Sequence, residues 1–230
     1  MDPIEVLRTL TIAAIPIVVA ITFHEAAHGY VAWKLGDPTA KEMGRLTLNP
    51  IAHIDLMGTV IVPVMLFIGS HGAFIFGSAK PVPVNFGNLR NPRRDMAYVA
   101  LAGPVMNIIL SIISVFLFVV VFKIYNHSGN EFVSSKILVP VSHMLQYSIS
   151  FNIFIAAFNL IPIPPLDGGR IMVSMLPYRY AYQLSRLEPY GTFIILGLWF
   201  LGVLRFVVVP IQVLIQMIVR IFVDQLGRFM

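Results

Sequence analysis

The chain has 230 residues, of which 57% are hydrophobic and only 12% are charged, and its formal net charge is +5. Soluble domains carry about 25% charged residues, and a soluble fold of this length cannot bury so much apolar surface. The composition therefore excludes a soluble protein and a disordered chain. It also excludes a nucleic-acid-binding protein, because the basic residues lie in short clusters between apolar runs, as in membrane proteins. The sequence contains no cysteine, which rules out disulfides and thiolate metal ligands.

The first apolar segment, residues 10–35, is long enough to cross a bilayer with some tilt. It ends at Gly36-Asp37-Pro38, a sequence typical of a helix terminus, and Pro16 is expected to kink it. The residues before it lack the basic region and the cleavage site of a secretory signal peptide. We therefore predict a retained transmembrane helix.

A polar, turn-rich stretch follows at residues 36–55, and a short apolar segment occupies residues 56–69. At about 14 residues this segment is too short to span a bilayer, which favours a re-entrant segment. Residues 72–84 are predicted to be extended, and residues 85–95 carry a basic cluster.

Residues 96–124 and 137–161 are predicted to span the membrane, and two further apolar segments lie at about 190–204 and 207–223. Residues 162–170 contain three prolines within four positions, which is incompatible with regular helix. Together the segments predict an all-α polytopic membrane protein. It would have about five to six transmembrane segments and a re-entrant or extended segment after the first helix.

The first predicted helix contains the pattern H-E-x-x-H, formed by His24, Glu25 and His28. Positions i and i+4 lie on one helix face, so both imidazoles can bind one Zn²⁺, and Glu25 can act as general base toward an activated water. The alternative is a set of core polar residues satisfied by hydrogen bonds between helices. Ionisable groups at membrane depth are costly and usually functional, which favours the metal site.

Catalytic zinc usually has three protein ligands and one open position. Asp167 is the best candidate for the third ligand, because it follows a long apolar segment and lies in the unwound Pro/Gly stretch. Taken alone, Asp167 would be interpreted as the N-cap of a short helix beginning at Gly168. The H-E-x-x-H pattern favours the interpretation of Asp167 as a metal ligand.

The distribution of basic residues predicts the orientation in the membrane. Asp167 can meet His24 and His28 only if residues 56–84 enter the membrane and return on the same side. That layout places ten Lys and Arg residues on the side of the active site and three on the other, which makes the active-site side cytoplasmic. The ten are Lys34, Lys41, Arg45, Lys80, Arg90, Arg93, Arg94, Arg170, Arg179 and Arg186, and the three are Arg8, Lys123 and Lys136.

Three motifs in order make the sequence resemble the site-2 protease family of intramembrane zinc metalloproteases. They are FHEAAHG at residues 23–29, AGPVMN at residues 102–107 and NLIPIPPLDGGR at residues 159–170. The resemblance implies one Zn²⁺ per chain, held by His24, His28 and Asp167, with Glu25 as general base. It also implies that Asn159 contacts the substrate backbone or an oxyanion, and that Asn107 lies in the same substrate-binding region.

The resemblance implies cleavage of transmembrane protein or peptide substrates within a lipid bilayer, by a compact member without PDZ-like or CBS-like domains. We expect a membrane-embedded zinc protease core at residues 1–189 and C-terminal transmembrane helices at residues 190–230. A multi-pass protein of a prokaryotic plasma membrane fits the sequence, which gives no oligomeric state. The alternative from another class is a transporter or channel that uses buried ionisable residues.

Overall fold

The computed structural model describes residues 3–69, 79–127 and 129–229, and in these ranges the regular structure is helical, with no strand. The predicted all-α class is therefore confirmed. The α-helices are α1 (Pro3–Lys34), α2 (Thr39–Glu42), α3 (Val62–Gly69), α4 (Pro92–His127), α5 (Glu131–Val133), α6 (Val139–Asn159), α7 (Asp167–Met175), α8 (Tyr178–Ser185), α9 (Gly191–Phe200) and α10 (Arg205–Phe229). Short 3₁₀ or π-helical turns occupy Pro50–His53, Leu56–Ile61, Phe86–Asn88, Ser134–Leu138 and Glu188–Tyr190.

Two helices in the described ranges are long and apolar enough to cross a membrane, namely Thr11–Lys34 within α1 and the 36 residues of α4. The segments Tyr178–Phe200 and Arg205–Met217 are bent by 91° relative to each other, and they would form a third span if this bent pair is taken as a single span. Five to six transmembrane segments are thus not confirmed. The predicted span at residues 137–161 corresponds to α6, whose Gln146, Asn152 and other polar residues lower its hydropathy.

The core of the molecule is formed by α1, α4 and α6, which pack against one another, and by α7, which packs against α4. Small residues occupy the contacts, since Ala20, Ala32, Ala100 and Ala156 are all buried to 2% exposure or less. Small side chains let membrane helices approach closely. A second apolar cluster joins α6 to α9 and α10 and includes Ile153, Ile195, Leu204 and Val208. The C-terminal helices are therefore docked onto the core through α6.

The chain between α1 and α4 leaves and returns at the same end of α1. Arg90, just before α4, donates its backbone N–H to the carbonyl oxygen of Leu35, at 3.0 Å. In the first turn of α4, the Arg93 guanidinium donates to the carbonyls of Ser174 and Leu176 at the end of α7. The N-terminus of α4 is therefore fixed to both α1 and α7.

The stretch that follows α2 is held by local hydrogen bonds. Asp55 accepts a hydrogen bond from the Gly58 N–H and so caps the turn that begins at Leu56. His53 is buried and hydrogen-bonds the carbonyl of Thr47 through Nε2. The segment predicted to be extended at residues 72–84, called the extended segment below, is described only from residue 79 onward, and there it contains neither helix nor paired strand.

Asp37 is a fully buried carboxylate that organises the loop after α1. It accepts hydrogen bonds from the backbone N–H and hydroxyl of Thr39, from the Asn85 N–H at 2.7 Å and from the Asn88 side chain at 3.0 Å. Burial alone would raise the pKa of Asp37, but these hydrogen bonds outweigh it and hold the pKa below its ordinary value. The folded state therefore favours the charged form.

We predict that Asp37→Asn destabilises the protein by about 2 kcal/mol near neutral pH, because an amide nitrogen would face donors that now meet a charged acceptor. A lowered folded-state pKa contributes stability above the unfolded value of about 3.9, and that contribution is lost as the pH falls through the folded pKa. The gap in thermal midpoint between wild type and variant in detergent should therefore shrink below about pH 4. Glu42→Gln, at an exposed acidic residue of α2, is the control. An equal gap at pH 3 and pH 7 would contradict the prediction.

Candidate metal centre

The two histidines of the H-E-x-x-H pattern lie one above the other on the buried face of α1. Their ring centroids are 4.6 Å apart and the ring planes are nearly perpendicular. The Nε2 atoms of His24 and His28 face each other at 3.0 Å. Both side chains are buried, so water competes little for these nitrogens.

Asp167 approaches the same point from the first turn of α7. Its Oδ2 lies 3.3 Å from His24 Nε2, and its Oδ1 lies 3.4 Å from His28 Nε2. The residue before it, Leu166, occupies the N-cap position. The Asp167 carboxylate therefore faces the imidazoles, and the N-cap interpretation does not describe its position.

Gly168 explains how α7 comes so close to the end of α6. A Cβ atom at this position would lie 2.3 Å from the carbonyl oxygen of Leu160 and 2.4 Å from that of Ile161. Only a glycine allows this approach. The Pro-rich turn and the glycine after Asp167 thus place the carboxylate beside α1.

Hydrogen bonds fix the protonation of both rings. His28 Nδ1 lies 2.7 Å from the backbone carbonyl of Val99, which can only accept, so Nδ1 carries the proton. His24 Nδ1 lies 2.6 Å from Asn107 Oδ1, and Asn107 is oriented by its NH₂ group, which donates to the Ala20 carbonyl at 3.2 Å. In the neutral rings, both Nε2 atoms then carry lone pairs.

Two nitrogen lone pairs and a carboxylate therefore converge on one buried point, an arrangement that repels itself without a cation. These donor atoms all lie within 4.8 Å of one another. Among the described residues, Asp167 Oδ2 has no hydrogen-bond donor. Two imidazoles and one carboxylate are also a common ligand set of catalytic zinc, with one position left open. The residues thus fit a zinc ion.

Gly103 of α4 forms the wall of this centre. A Cβ atom there would lie 2.4 Å from His28 Nε2 and 2.6 Å from His24 Nε2. The space that a methyl group would fill is the space in front of the two donor nitrogens. Glycine at this position keeps the centre open.

Glu25 lies beside the centre and contacts the extended segment. Its Oε2 accepts a hydrogen bond from the Val82 backbone N–H at 2.8 Å. The segment is fixed on its other side, since Lys80 donates its N–H to the His53 carbonyl and Arg45 donates to the carbonyls of Lys80 and Pro81. The position of Glu25 is therefore tied to the loop after α1.

The two asparagines predicted to contact substrate lie in different surroundings. Asn107 is fully buried, and its amide is occupied by His24, Ala20 and Asn152. Asn159 is half-buried near the end of α6, where its NH₂ group donates to the carbonyl of Ile155 in the same helix. The contacts of Asn107 favour a role in holding His24, whereas a substrate role for Asn159 stays a prediction.

Sequence reasoning missed three groups around the centre. Gly103 is predicted only as one residue of the AGPVMN motif. The Val99 carbonyl is a backbone group, so the identity of its side chain gives no indication of its role. Asn152 is buried on α6 and hydrogen-bonds Asn107. A polar amide within an apolar predicted span is a signal that could have identified Asn152.

Apolar helices that bury an H-E-x-x-H pair with a converging carboxylate define the class of membrane zinc metalloproteases. Comparison with known proteins agrees. A family model described as peptidase family M50 matches residues 12–201. The chain belongs to this family, the site-2 protease family, and is a zinc metalloprotease.

Several curated proteins are similar over most of the chain. "Putative zinc metalloprotease YwhC" of Bacillus subtilis is 38% identical over 185 residues, which cover 80% of this chain and 78% of that protein. Rip2 of Mycobacterium tuberculosis, which carries the same description, is 27% identical and covers 80% of this chain and 68% of its own length. "Zinc metalloprotease MJ0392" of Methanocaldococcus jannaschii is 26% identical over 73% of this chain and 35% of that protein. No solved structure matches the chain.

We predict that Gly103→Ala abolishes stoichiometric zinc binding, because the added methyl group would overlap His28 Nε2. Metal analysis of the purified protein should fall from about one zinc per chain to well below one. Gly197→Ala in α9 is the matched control, since nothing lies within 4 Å of a Cβ there. Full zinc occupancy in a folded Gly103→Ala protein would show that the space in front of the imidazoles is not the metal position.

Proposed function

We propose that the protein is an intramembrane zinc endopeptidase that hydrolyses peptide bonds in or near transmembrane segments of its substrates. His24, His28 and Asp167 are the proposed zinc ligands, and Glu25 is the proposed general base. The observation that carries the proposal is the convergence of both Nε2 atoms and the Asp167 carboxylate within an apolar helix bundle.

Bound zinc supplies Lewis acidity toward water and the scissile carbonyl. The residues of the chain position the reacting groups and transfer the proton. Because Val82 N–H holds Glu25 Oε2, the other oxygen, Oε1, would take a proton from the attacking water. Glu25 would then pass that proton to the leaving amide nitrogen as the carbon–nitrogen bond breaks and the new carbon–oxygen bond is complete.

The depth of the centre supports cleavage inside the membrane. His24 lies ten residues before Lys34, the last residue of α1, or about 15 Å along the helix. The apolar windows of α1 and α4 flank it. A soluble peptide would need to enter a lipid-covered bundle, whereas a membrane segment already lies at this depth.

The proposed topology places the centre toward the cytoplasm. The hydrogen bond between Leu35 and Arg90 brings the ends of α1 and α4 together, which supports a segment between them that enters and returns. The basic residues near these ends would then lie on the cytoplasmic side. On this layout residues 1–189 form the protease core, and residues 190–230 form C-terminal transmembrane helices.

A substrate helix must unwind before its amides can be cleaved, and pairing with an extended segment is one way to hold it open. Residues 80–82 are poorly suited to this role. The N–H groups of Lys80 and Val82 and the carbonyls of Lys80 and Pro81 already have partners. Pro81 and Pro83 have no N–H to donate. Any strand pairing would therefore use the Val82 carbonyl or groups outside residues 80–82.

Membership in a protease family favours the enzyme over the transporter or channel alternative. A protein that binds helices without cutting them would not need Glu25 beside the ligand set. The intramembrane endopeptidase is therefore the single function that we propose.

We predict that Glu25→Gln lowers cleavage by at least 10²-fold, the usual contribution of a general base, while zinc content stays at one per chain. The glutamine keeps an oxygen for the Val82 N–H but cannot accept the proton. Glu131→Gln, at an exposed residue of α5, is the control. Turnover retained in the Glu25→Gln protein would remove this residue from the proposed role.

We also predict that detergent-purified protein cleaves a single-span substrate from a defined panel, that a zinc chelator stops cleavage, and that added Zn²⁺ restores it. Loss of both zinc and cleavage in Asp167→Ala would link the carboxylate to the metal. Cleavage that survives complete zinc removal would overturn the proposed mechanism.

A further inference from the structure

A chain of buried polar side chains leads from the candidate metal centre into the contact between α4 and α6. Asn107 Nδ2 donates to Asn152 Oδ1 at 2.8 Å, and Asn152 Nδ2 donates to the carbonyl and hydroxyl of Ser148. Ser148 in turn shares a hydrogen bond with Ser114 of α4 at 2.7 Å. Asn107 and Asn152 are both at most 1% exposed. We call His24, Asn107, Asn152 and Ser148 the amide chain.

Two backbone carbonyls fix the direction of every hydrogen bond in the amide chain. The Ser148 carbonyl can only accept, so Asn152 must turn its NH₂ group toward Ser148 and its oxygen toward Asn107. The Ala20 carbonyl likewise requires the NH₂ group of Asn107. The remaining oxygen of Asn107 then faces His24 Nδ1. Neither amide can flip without placing like groups against each other.

We propose that Asn152 is a positioning residue for zinc, which acts through Asn107 by holding His24 in the tautomer whose Nε2 lone pair faces the metal. This inference rests on the proposed ligand role of His24. It assigns a function to a side chain that contacts neither the candidate ligands nor the space between them.

The contrast with His28 shows why the orientation of Asn107 matters. His28 Nδ1 donates to the Val99 carbonyl, a main-chain group whose orientation is set by α4 itself. His24 has a side-chain partner instead, and the amide of Asn107 is oriented by the two acceptors of its NH₂ group, the Ala20 carbonyl at 3.2 Å and Asn152 Oδ1 at 2.8 Å. Partners of a metal-bound histidine typically change metal affinity by 10- to 100-fold when removed. The same range is expected for Asn152 if it controls Asn107.

The test measures metal affinity rather than turnover. Zinc-stripped, detergent-purified protein is titrated with Zn²⁺ against a chromogenic chelator, and Co²⁺ spectra report the ligand geometry. Asn152→Leu should lower zinc affinity about 10-fold or more, whereas Ser111→Ala should leave it within twofold. Ser111 is a fair control because it is fully buried on α4 one turn from Asn107, and its hydroxyl has no partner among the described residues.

Conservative and double variants separate positioning from packing. Asn152→Asp, whose carboxyl group is neutral when buried, offers the same acceptor and donor and should restore zinc affinity. If Asn152 acts through Asn107, Asn107→Leu combined with Asn152→Leu should bind zinc no more weakly than Asn107→Leu alone. Should the leucine variant not fold, Asn152→Ser is expected to show the same loss, because serine is too short to reach Asn107.

Two outcomes would overturn the inference. One is zinc affinity within twofold of wild type in a folded Asn152→Leu or Asn152→Ser variant, even where its thermal midpoint falls. The other is an additive loss in the double variant, which would mean that Asn152 acts by another route. His24→Ala separates this inference from the proposed function: if that variant keeps its zinc, the ligand assignment fails, whereas zinc lost there but kept in Asn152→Leu refutes only the positioning role.

Discussion

The structure depends on one electrostatic constraint: three electron-donating groups must be held together in a buried place. Two imidazole nitrogens lie 3.0 Å apart, with a carboxylate 3.3–3.4 Å from each. These groups repel one another and would move apart if the surrounding residues were not rigid. The supports are firm because each comes from a different packed element. A turn of α1 carries both histidines, the glycine after Asp167 brings α7 close to the end of α6, and each ring donates a hydrogen bond from its far side to an oxygen of α4.

The parts of this arrangement that follow local rules were predictable from sequence. Helical spacing alone puts His24 and His28 on one face, and the Pro/Gly stretch around Asp167 marked a break at membrane depth. The supports were harder to foresee because they depend on which helices pack together. Gly103 opens the centre only because α4 crosses α1 there, and Asn152 reaches Asn107 across 45 positions of sequence. The predicted number of spans is not confirmed, since among the described residues two helices are long and apolar enough to cross a membrane and a third span would need the helix pair that is bent at 91°.

The loop between α1 and α4 joins fold and chemistry in a similar way. Asp37 gathers Thr39, Asn85 and Asn88 around one buried carboxylate, which fixes where the extended segment ends. Three residues earlier in that segment, Val82 holds the Glu25 carboxylate. A general base on a rigid helix would still rotate about its own side-chain bonds. The backbone N–H from a loop anchored at both ends removes that freedom, so the loop serves the proton transfer without touching the metal ligands.

The two histidines are held at Nδ1 in two different ways, and each way places different demands on the sequence. A ring held by a main-chain carbonyl, as His28 is held by Val99, needs no particular polar side chain at the supporting position, only one that fits the buried helix contact. A ring held by an amide side chain needs that amide and a second group to orient it. His24 therefore extends the metal centre's requirements into the contact between α4 and α6, where buried polar groups are costly unless every hydrogen bond is made. Such a polar chain is difficult to explain by packing alone, because apolar residues of the same size would join the two helices without that cost.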